Sequence, residues 1–309
     1  MTGRWTLADL PDLTGKRALV TGVTSGLGRH VALELARNGA EVLLAARDET
    51  RLCRLVEQVH RTLPAARLRP LRLDLADLTS VRRAAAEASS YGPLDVLVNN
   101  AGVMAAPHRS TADGFELHYG TNHLGHFALT GLLLPQLAAS GEARAVTVSS
   151  QFHRAVRTVP LRDRTMHAGR YQRWIAYARS KLANLLFAFE LQRRCSAHGV
   201  PVTSVAAHPG FASTNLMTAG LSMDRHGLDR TLVDAATAMF AQPAEMGALP
   251  ILMAAADPTV PGGAYVGPAG PGGMRGLPQA ARASRAAYDA RLAAGLWTLS
   301  EEATGVRFP

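Results

Sequence analysis

Tyr177 stands one helical turn before Lys181 in the stretch Ile175-Ala176-Tyr177-Ala178-Arg179-Ser180-Lys181-Leu182-Ala183-Asn184. Residues at that spacing share a helix face, so a phenol and an ammonium meet there. A phenol ordinarily keeps its proton to pH ~10, and a neighbouring cation favours phenolate. The spacing therefore predicts a Tyr177 whose acidity is drawn toward neutrality, able both to give and to take a proton. The same spacing occurs as a plain surface pair on amphipathic helices, but composition weighs against that use here. Among 33 basic residues, lysine occurs only as Lys16 and Lys181. A lysine kept against so strong an arginine bias suggests a need for a compact ammonium in place of a planar guanidinium.

The helix that must carry the pair is predicted from Tyr171 to Ala197, a run free of proline and glycine that stops at Gly199. Upstream, Arg17-Ala18-Leu19-Val20-Thr21 reads as a short strand. It passes at once into Gly22-Val23-Thr24-Ser25-Gly26-Leu27-Gly28 and a helical stretch ending near Asn38-Gly39. Strand, glycine turn and helix in that order form a phosphate cradle, because backbone can approach a pyrophosphate and the helix N-terminus offers N–H donors. The spacing Gly-x-x-x-Gly-x-Gly departs from Gly-x-Gly-x-x-Gly, and a tight structural turn is its alternative use. A second strand, Glu41 to Ala46, ends at Arg47. An arginine there suits a ribose 2′-phosphate where an acidic residue would hold a 2′-hydroxyl, so NADPH is expected over NADH, with Asp48 the residue that could reverse the choice.

A helix from about Glu49 to Leu63 follows, then a strand from Leu68 to Leu73 that ends in Asp74-Leu75. Asp74 is suited to an adenine amino group or to capping a turn before the helix near Thr79 to Ser90. Asp95 to Val98 is a fourth strand running into Asn99-Asn100-Ala101-Gly102, which fits a turn that locks neighbouring strands and lines a cofactor crevice, or a turn alone. Gly114 to Leu137 is predicted mostly helical. His118, His123 and His126 lie on it without a partnering carboxylate pattern, which favours unliganded histidines over a metal site. Asn122, in mid-helix, can compete with the backbone ladder and hold a water. Ala145 to Val148 opens into Ser149-Ser150, Val202 to Ala207 into His208-Pro209-Gly210, and Gly263 to Gly267 is a last candidate strand.

These alternations continue through all 309 residues, with 47% hydrophobic and 18% charged residues and no break in composition. They predict an α/β fold: one doubly wound Rossmann-type domain over 1–309, with a mostly or wholly parallel sheet of about seven strands and helices on both faces. Cys53 and Cys195 lie far apart and suggest neither a disulfide framework nor a zinc site. With no run of signal-peptide or membrane-span character, a soluble, cytoplasmic protein without a membrane partner is expected. The net charge of +9, with Arg154, Arg157, Arg162, Arg164, Arg170 and Arg173 clustered ahead of the Tyr177 helix, would suit nucleic acid. The arginines lack interleaved aromatics and any recognisable module, so no nucleic-acid partner is expected.

Taken together, Thr21-Gly22-x-x-x-Gly26-x-Gly28, Asn99-Asn100-Ala101-Gly102, Ser150, Tyr177-x-x-x-Lys181 and Pro209-Gly210 resemble the short-chain dehydrogenase/reductase family, in family order over nearly the whole chain. Asn122-His123-Leu124-Gly125-His126-Phe127 and Leu296-Trp297-x-x-Ser300 are similar to its retinol dehydrogenase-like branch. The resemblance implies a catalytic tetrad of Asn122, Ser150, Tyr177 and Lys181, Ser150 being preferred to Ser149. It implies a cofactor site of Gly22, Ser25, Gly26, Leu27, Gly28, Arg47, Asp74, Leu75, Asn99, Ala101, Gly102, Tyr177, Lys181, Pro209 and Thr214. It further implies a substrate lid around 213–240, a homo-dimer or homo-tetramer, and an NADP(H)-dependent oxidoreductase that interconverts a bulky apolar ketone or aldehyde with its alcohol. Met104 and Phe152 are among the expected walls. The alternative is a catalytically silent NADP(H)-sensing regulator on the same fold.

Overall fold

The computed structural model of the chain describes residues 4–161, 171–211 and 242–309. Thr214, the expected lid at 213–240, Arg162, Arg164 and Arg170 lie outside the described residues.

Alternation along the strands sorts the core into two layers. Ala18 and Val20 of β1 (Arg17–Thr21), Val42 and Leu44 of β2 (Glu41–Ala46), Val96 and Val98 of β4 (Val96–Asn99), and Val146 and Val148 of β5 (Ala143–Val148) face one layer. Their intervening neighbours Leu19, Leu43, Leu97 and Ala145 face the other. The first layer receives α1 (Gly26–Arg37), α2 (Glu49–Thr62) and α7 (Ala244–Ala256). The second receives α3 (Leu78–Ser89), α5 (Gly125–Ala139) and part of α6 (Arg173–Ala197) through residues such as Val81, Phe127 and Phe187. Burial on both faces is why these strands read as unbroken apolar runs. Each leucine side chain so buried contributes about 2 kcal/mol.

The sheet has eight strands in the order β3-β2-β1-β4-β5-β6-β7-β8, where β3 is Leu68–Arg72, β6 is Val202–Ala207, β7 is Tyr265–Pro268 and β8 is Pro278–Ala280. The first seven pair in parallel and β8 runs antiparallel to β7, Val266 facing Ala280. The mostly parallel sheet is thus as expected, with one more strand than the sequence suggests. β8 is too short and too polar to generate a periodic signal. Pro70 is tolerated in β3 because that strand lies at the sheet's other edge.

The chain leaves β1 toward β2 on one side, while β4 returns to β1's other side, so the order reverses beside β1 and opens a crevice at the strands' C-terminal ends. Among the described residues, no helix is long and apolar enough to cross a membrane.

Candidate active site

The glycine turn between β1 and α1 folds tightly against the turn after β4. Gly22 has φ +74°, and a Cβ there would sit 2.9 Å from Ala101. A Cβ on Gly28 would lie within 2.5 Å of the Gly22 carbonyl oxygen, so no larger residue fits between helix and turn. Gly26 opens α1 with φ +58°, and Leu27 packs partly onto the core. The side chain of Ser25, the N-cap, bonds no amide of α1, and the first turn carries no acidic residue. By contrast, Asp48 caps α2 and Asp77 caps α3 through their carboxylates. The α1 N-terminus therefore presents backbone donors and positive potential toward the crevice, which fits a pyrophosphate.

Thr21, at the end of β1, ties this cradle to the β4 turn. Its hydroxyl oxygen accepts the N–H groups of Asn100 and Ala101, each at 2.9 Å, while Asn100 Nδ2 donates to the Thr21 carbonyl at 2.8 Å. Asn99 donates to the Thr130 hydroxyl at 2.9 Å. Asn100 thus locks the turn after β4 to β1, while Asn99 ties the end of β4 to α5.

α6 begins at Arg173, ends with His198 as its C-cap, and is followed by Gly199 at φ +64°. Its freedom from proline and glycine lets the face bearing Tyr177, Lys181 and Asn184 run unbroken past the end of β5. Both Lys181 Nζ, at 3.2 Å, and Asn184 Nδ2, at 3.0 Å, donate to the carbonyl oxygen of Val148, the last residue of β5. The ammonium lies 5.7 Å from the centre of the Tyr177 ring, and a Cβ on Gly102 would come 3.6 Å from Nζ. The two side chains therefore meet beside the turn that follows β4.

Ser149 and Ser150 divide their work. The buried Ser149 hydroxyl donates to the Lys181 carbonyl at 2.8 Å. The Ser150 oxygen accepts the Phe152 N–H at 3.3 Å, and the serine stands on the side of β5's end where Phe152 meets the Tyr177 ring.

Protonation departs from the simple expectation for a cation-paired phenol. Burial pushes the Tyr177 phenol up to about 12, the nearby Ser150 hydroxyl pulling the other way. Burial also pushes the Lys181 ammonium down to about 8. Desolvation disfavours the charged form of both groups and here outweighs their attraction. The tyrosine holds its proton firmly, and the lysine holds its own less firmly than in water.

Asn122 lies in a single π-helical turn, Gly120–Leu124, between α4 (Leu117–Tyr119) and α5. Its side-chain amide is engaged by protein partners on both sides. Oδ1 accepts the Val103 N–H at 2.7 Å, while Nδ2 donates to the Val103 carbonyl and the Ser180 hydroxyl, each at 2.9 Å. Ser180 in turn donates to the Tyr177 carbonyl at 2.7 Å. The amide thus braces α6 against the loop after β4. His126 Nδ1 lies 3.0 Å from the Asn122 carbonyl and His126 Nε2 lies 2.9 Å from the Thr21 hydroxyl, so the imidazole donates to the first and accepts from the second. Burial pushes His126 down to about 4, keeping it neutral, and the Lys181 charge acts in the same direction.

The remaining expected residues fall around the same crevice or near it. Arg47 is exposed at the end of β2, and neighbouring Asp48 accepts the Arg51 N–H at 3.0 Å as the cap of α2. Asp74 Oδ1 accepts the Ala76 N–H at 3.0 Å, realising its turn-capping use, and Leu75 is buried beneath it. Pro209 accepts from Gln242 Nε2 at 2.7 Å, and Gly210, with φ +69°, packs on the Met274 carbonyl. Sequence reasoning missed Trp174, whose ring stacks on Phe152 at 5.3 Å while Phe152 meets Tyr177 edge-on at 5.7 Å. With buried Met104 and Ala105 these rings make an apolar wall at the phenol. Asn184 was missed too, although its place seven residues after Tyr177 puts it on the same face.

The family described as short chain dehydrogenase matches residues 16–160. Polyprenol dehydrogenase of Mus musculus is 49% identical over 213 residues, 67% of this chain and 63% of that protein, so the match spans less than two thirds of its length. Retinol dehydrogenase 14 of Mus musculus is 39% identical over 306 residues, 94% of this chain and 86% of that protein. A crystal structure of an uncharacterized protein from Mycobacterium Paratuberculosis has a TM-score of 0.81 and 45% identity, covering 99% of this chain and all of that one.

Proposed function

Since this chain belongs to the short-chain dehydrogenase/reductase family of oxidoreductases, we propose that it interconverts a bulky apolar ketone or aldehyde and the corresponding alcohol with NADP(H), Tyr177 serving as the proton donor and acceptor. The observation that carries this reading is the convergence of Tyr177 and Lys181 beside Gly102, with Ser150 just past the end of β5, at the strand ends where the glycine cradle also opens.

The cradle residues Gly22, Ser25, Gly26, Leu27 and Gly28 would hold the pyrophosphate, with Asp74, Leu75, Asn99, Ala101, Pro209 and Thr214 around the rest of the cofactor. Exposed Arg47, next to an aspartate already engaged as a helix cap, supports NADP(H). The nicotinamide, when bound, supplies hydride to the carbonyl carbon or takes it from the alcohol. As charge grows on the substrate oxygen, Ser150 orients that oxygen and Tyr177 gives it a proton. Lys181 stabilises the phenolate left behind. Asn122 keeps the pair in place by bracing α6 and would support a water relay. With NADP(H) as the cofactor, carbonyl reduction is the favoured direction. The apolar wall of Met104, Phe152 and Trp174 supports a bulky apolar substrate, as do relatives named for polyprenol and retinol.

The test is NADPH oxidation across a panel of apolar aldehydes and ketones, run in parallel with NADH, using wild type and Tyr177→Phe. Turnover by wild type and its loss by two to four orders of magnitude in Tyr177→Phe, with cofactor affinity retained, is the expected result. Near-normal turnover in the variant would overturn Tyr177's role.

A further inference from the structure

Ala105 has φ +52° and is, among the described residues, the non-glycine residue with a left-handed backbone. It is fully buried, lies between Met104 and Ala106, and packs with Met104 against Tyr177. A side-chain-bearing residue in that region is strained and persists only where its surroundings hold it.

The surroundings that hold it come from two other elements. Ala106 is gripped by both of its backbone groups: its N–H donates to His118 Nε2 at 3.1 Å, and its carbonyl accepts from the Tyr171 hydroxyl at 3.0 Å. Because Nε2 accepts, His118 carries its proton on Nδ1, 2.7 Å from Glu116 Oε1. Glu116 is buried and caps α4, its Oε1 accepting the His118 N–H at 3.0 Å and its Oε2 the Tyr119 N–H at 2.8 Å. The Tyr171 hydroxyl also lies 3.2 Å from Glu116 Oε1. His118 meets the Tyr177 ring edge-on, with ring centres 6.2 Å apart.

We propose that Glu116, His118 and Tyr171 form a positioning clamp that holds Ala105 in its left-handed turn and so keeps Met104 and Ala105 against the catalytic phenol. The clamp ties the start of α6 to the loop after β4 without touching the reacting atoms. It couples the helix that carries Tyr177 to the wall beside it, so a loosened clamp misaligns the phenol and costs rate more than cofactor binding. The proposal rests on the reading of Tyr177 given above, and the experiment separates the two.

Tyr171→Phe removes one hydroxyl and keeps the ring. It is compared with wild type, with Ala105→Gly, and with the double variant. Glycine adopts the left-handed turn without help. Tyr171→Phe is therefore expected to lower kcat about tenfold in the Ala105 protein, with KM for NADPH within about twofold, and to cost less than about threefold when glycine occupies position 105. His118→Ala, which also frees the Ala106 N–H, is expected to cost more and to show the same relief. Equal cost in both backgrounds, or no cost in either, overturns the clamp. If His118→Ala does not fold, Tyr171→Phe alone decides. If wild type turns over no carbonyl, or Tyr177→Phe is as active as wild type, the reading of Tyr177 fails instead. The clamp is then judged on unfolding midpoints of the same four proteins: a smaller loss in the glycine background supports it, and additive losses overturn it.

Discussion

The Ser149 hydroxyl donates to the backbone carbonyl of Lys181 at 2.8 Å, fastening the end of β5 to the middle of α6. That bond commits Ser149 to structure and leaves Ser150, whose oxygen accepts only the Phe152 N–H among the described residues, as the serine suited to orient a substrate oxygen. Ser150→Ala is expected to lower kcat by about 10²–10³-fold, the cost of one preorganised donor, with little change in Tm. Ser149→Ala is expected to do the reverse, losing about 1 kcal/mol with a buried hydrogen bond while kcat falls less than about fivefold. Steady-state kinetics and thermal unfolding on the two variants decide the matter, and a catalytic loss confined to Ser149→Ala would reverse the assignment.

Arg47 and Asp48 sit side by side at the end of β2 with different duties. Arg47→Ala is expected to raise KM for NADPH by about 10–100-fold while leaving KM for NADH within about twofold, as loss of a phosphate-pairing guanidinium would. Asp48→Ala is expected to lower Tm by about 2–4 °C through the lost cap. Kinetics with both cofactors check the first, and an unchanged NADPH preference in Arg47→Ala would remove the arginine from that role.

Lys181 should impose its own pH limit on carbonyl reduction. The buried ammonium loses its proton near pH 8, well before the Tyr177 phenol does. The rate of reduction is expected to be flat below pH ~7 and to fall as pH rises through about 8. A pH–rate profile that stays level from 7 to 10 would show that the ammonium is not needed.

The same lowered value carries a stability consequence. An unfolded lysine binds its proton up to about 10.5 and the folded one only to about 8, so the unfolded state holds more protons between those values. The penalty for burying the charge is in full force below pH 8 and is relieved as pH rises through that window. Lys181→Met is therefore expected to abolish turnover yet raise Tm at pH 7 by a few degrees. A lower Tm in the variant would mean that the bond to Val148 outweighs the desolvation.

Four buried histidines make the fold acid-sensitive. Burial pushes His123 and His208 down to about 3, and His126 and His153 down to about 4, all from 6.5. Between those values the unfolded chain binds protons that the folded chain excludes, so stability falls as pH drops from about 6.5 toward 4. The Tm at pH 4.5 is expected to lie on the order of 10 °C or more below that at pH 7.5. Scanning calorimetry across this range checks it, and a level Tm would show that these side chains reach water more readily than their burial implies.

Much of this molecule is written in local spacing. The strand-turn-helix of Arg17 to Arg37, the strand end at Ser149-Ser150, and Tyr177 one turn before Lys181 follow from periods of two and 3.6 residues, which neighbours in the chain impose by themselves. A doubly wound sheet follows from their alternation. Where each polar atom spends its hydrogen bonds does not, because that depends on groups brought together from distant segments. Ser149 turns to Lys181, and Asn122 turns to Val103 and Ser180, only once the strands and helices are stacked. The charge balance at Tyr177 was decided in the same way. Spacing shows the cation beside the phenol, but Met104, Phe152 and Trp174, from separate segments, help exclude the water that would have kept both groups near their ordinary acidity. Adjacency is a property of sequence, whereas desolvation is a property of everything packed around a group, and here the second outweighed the first.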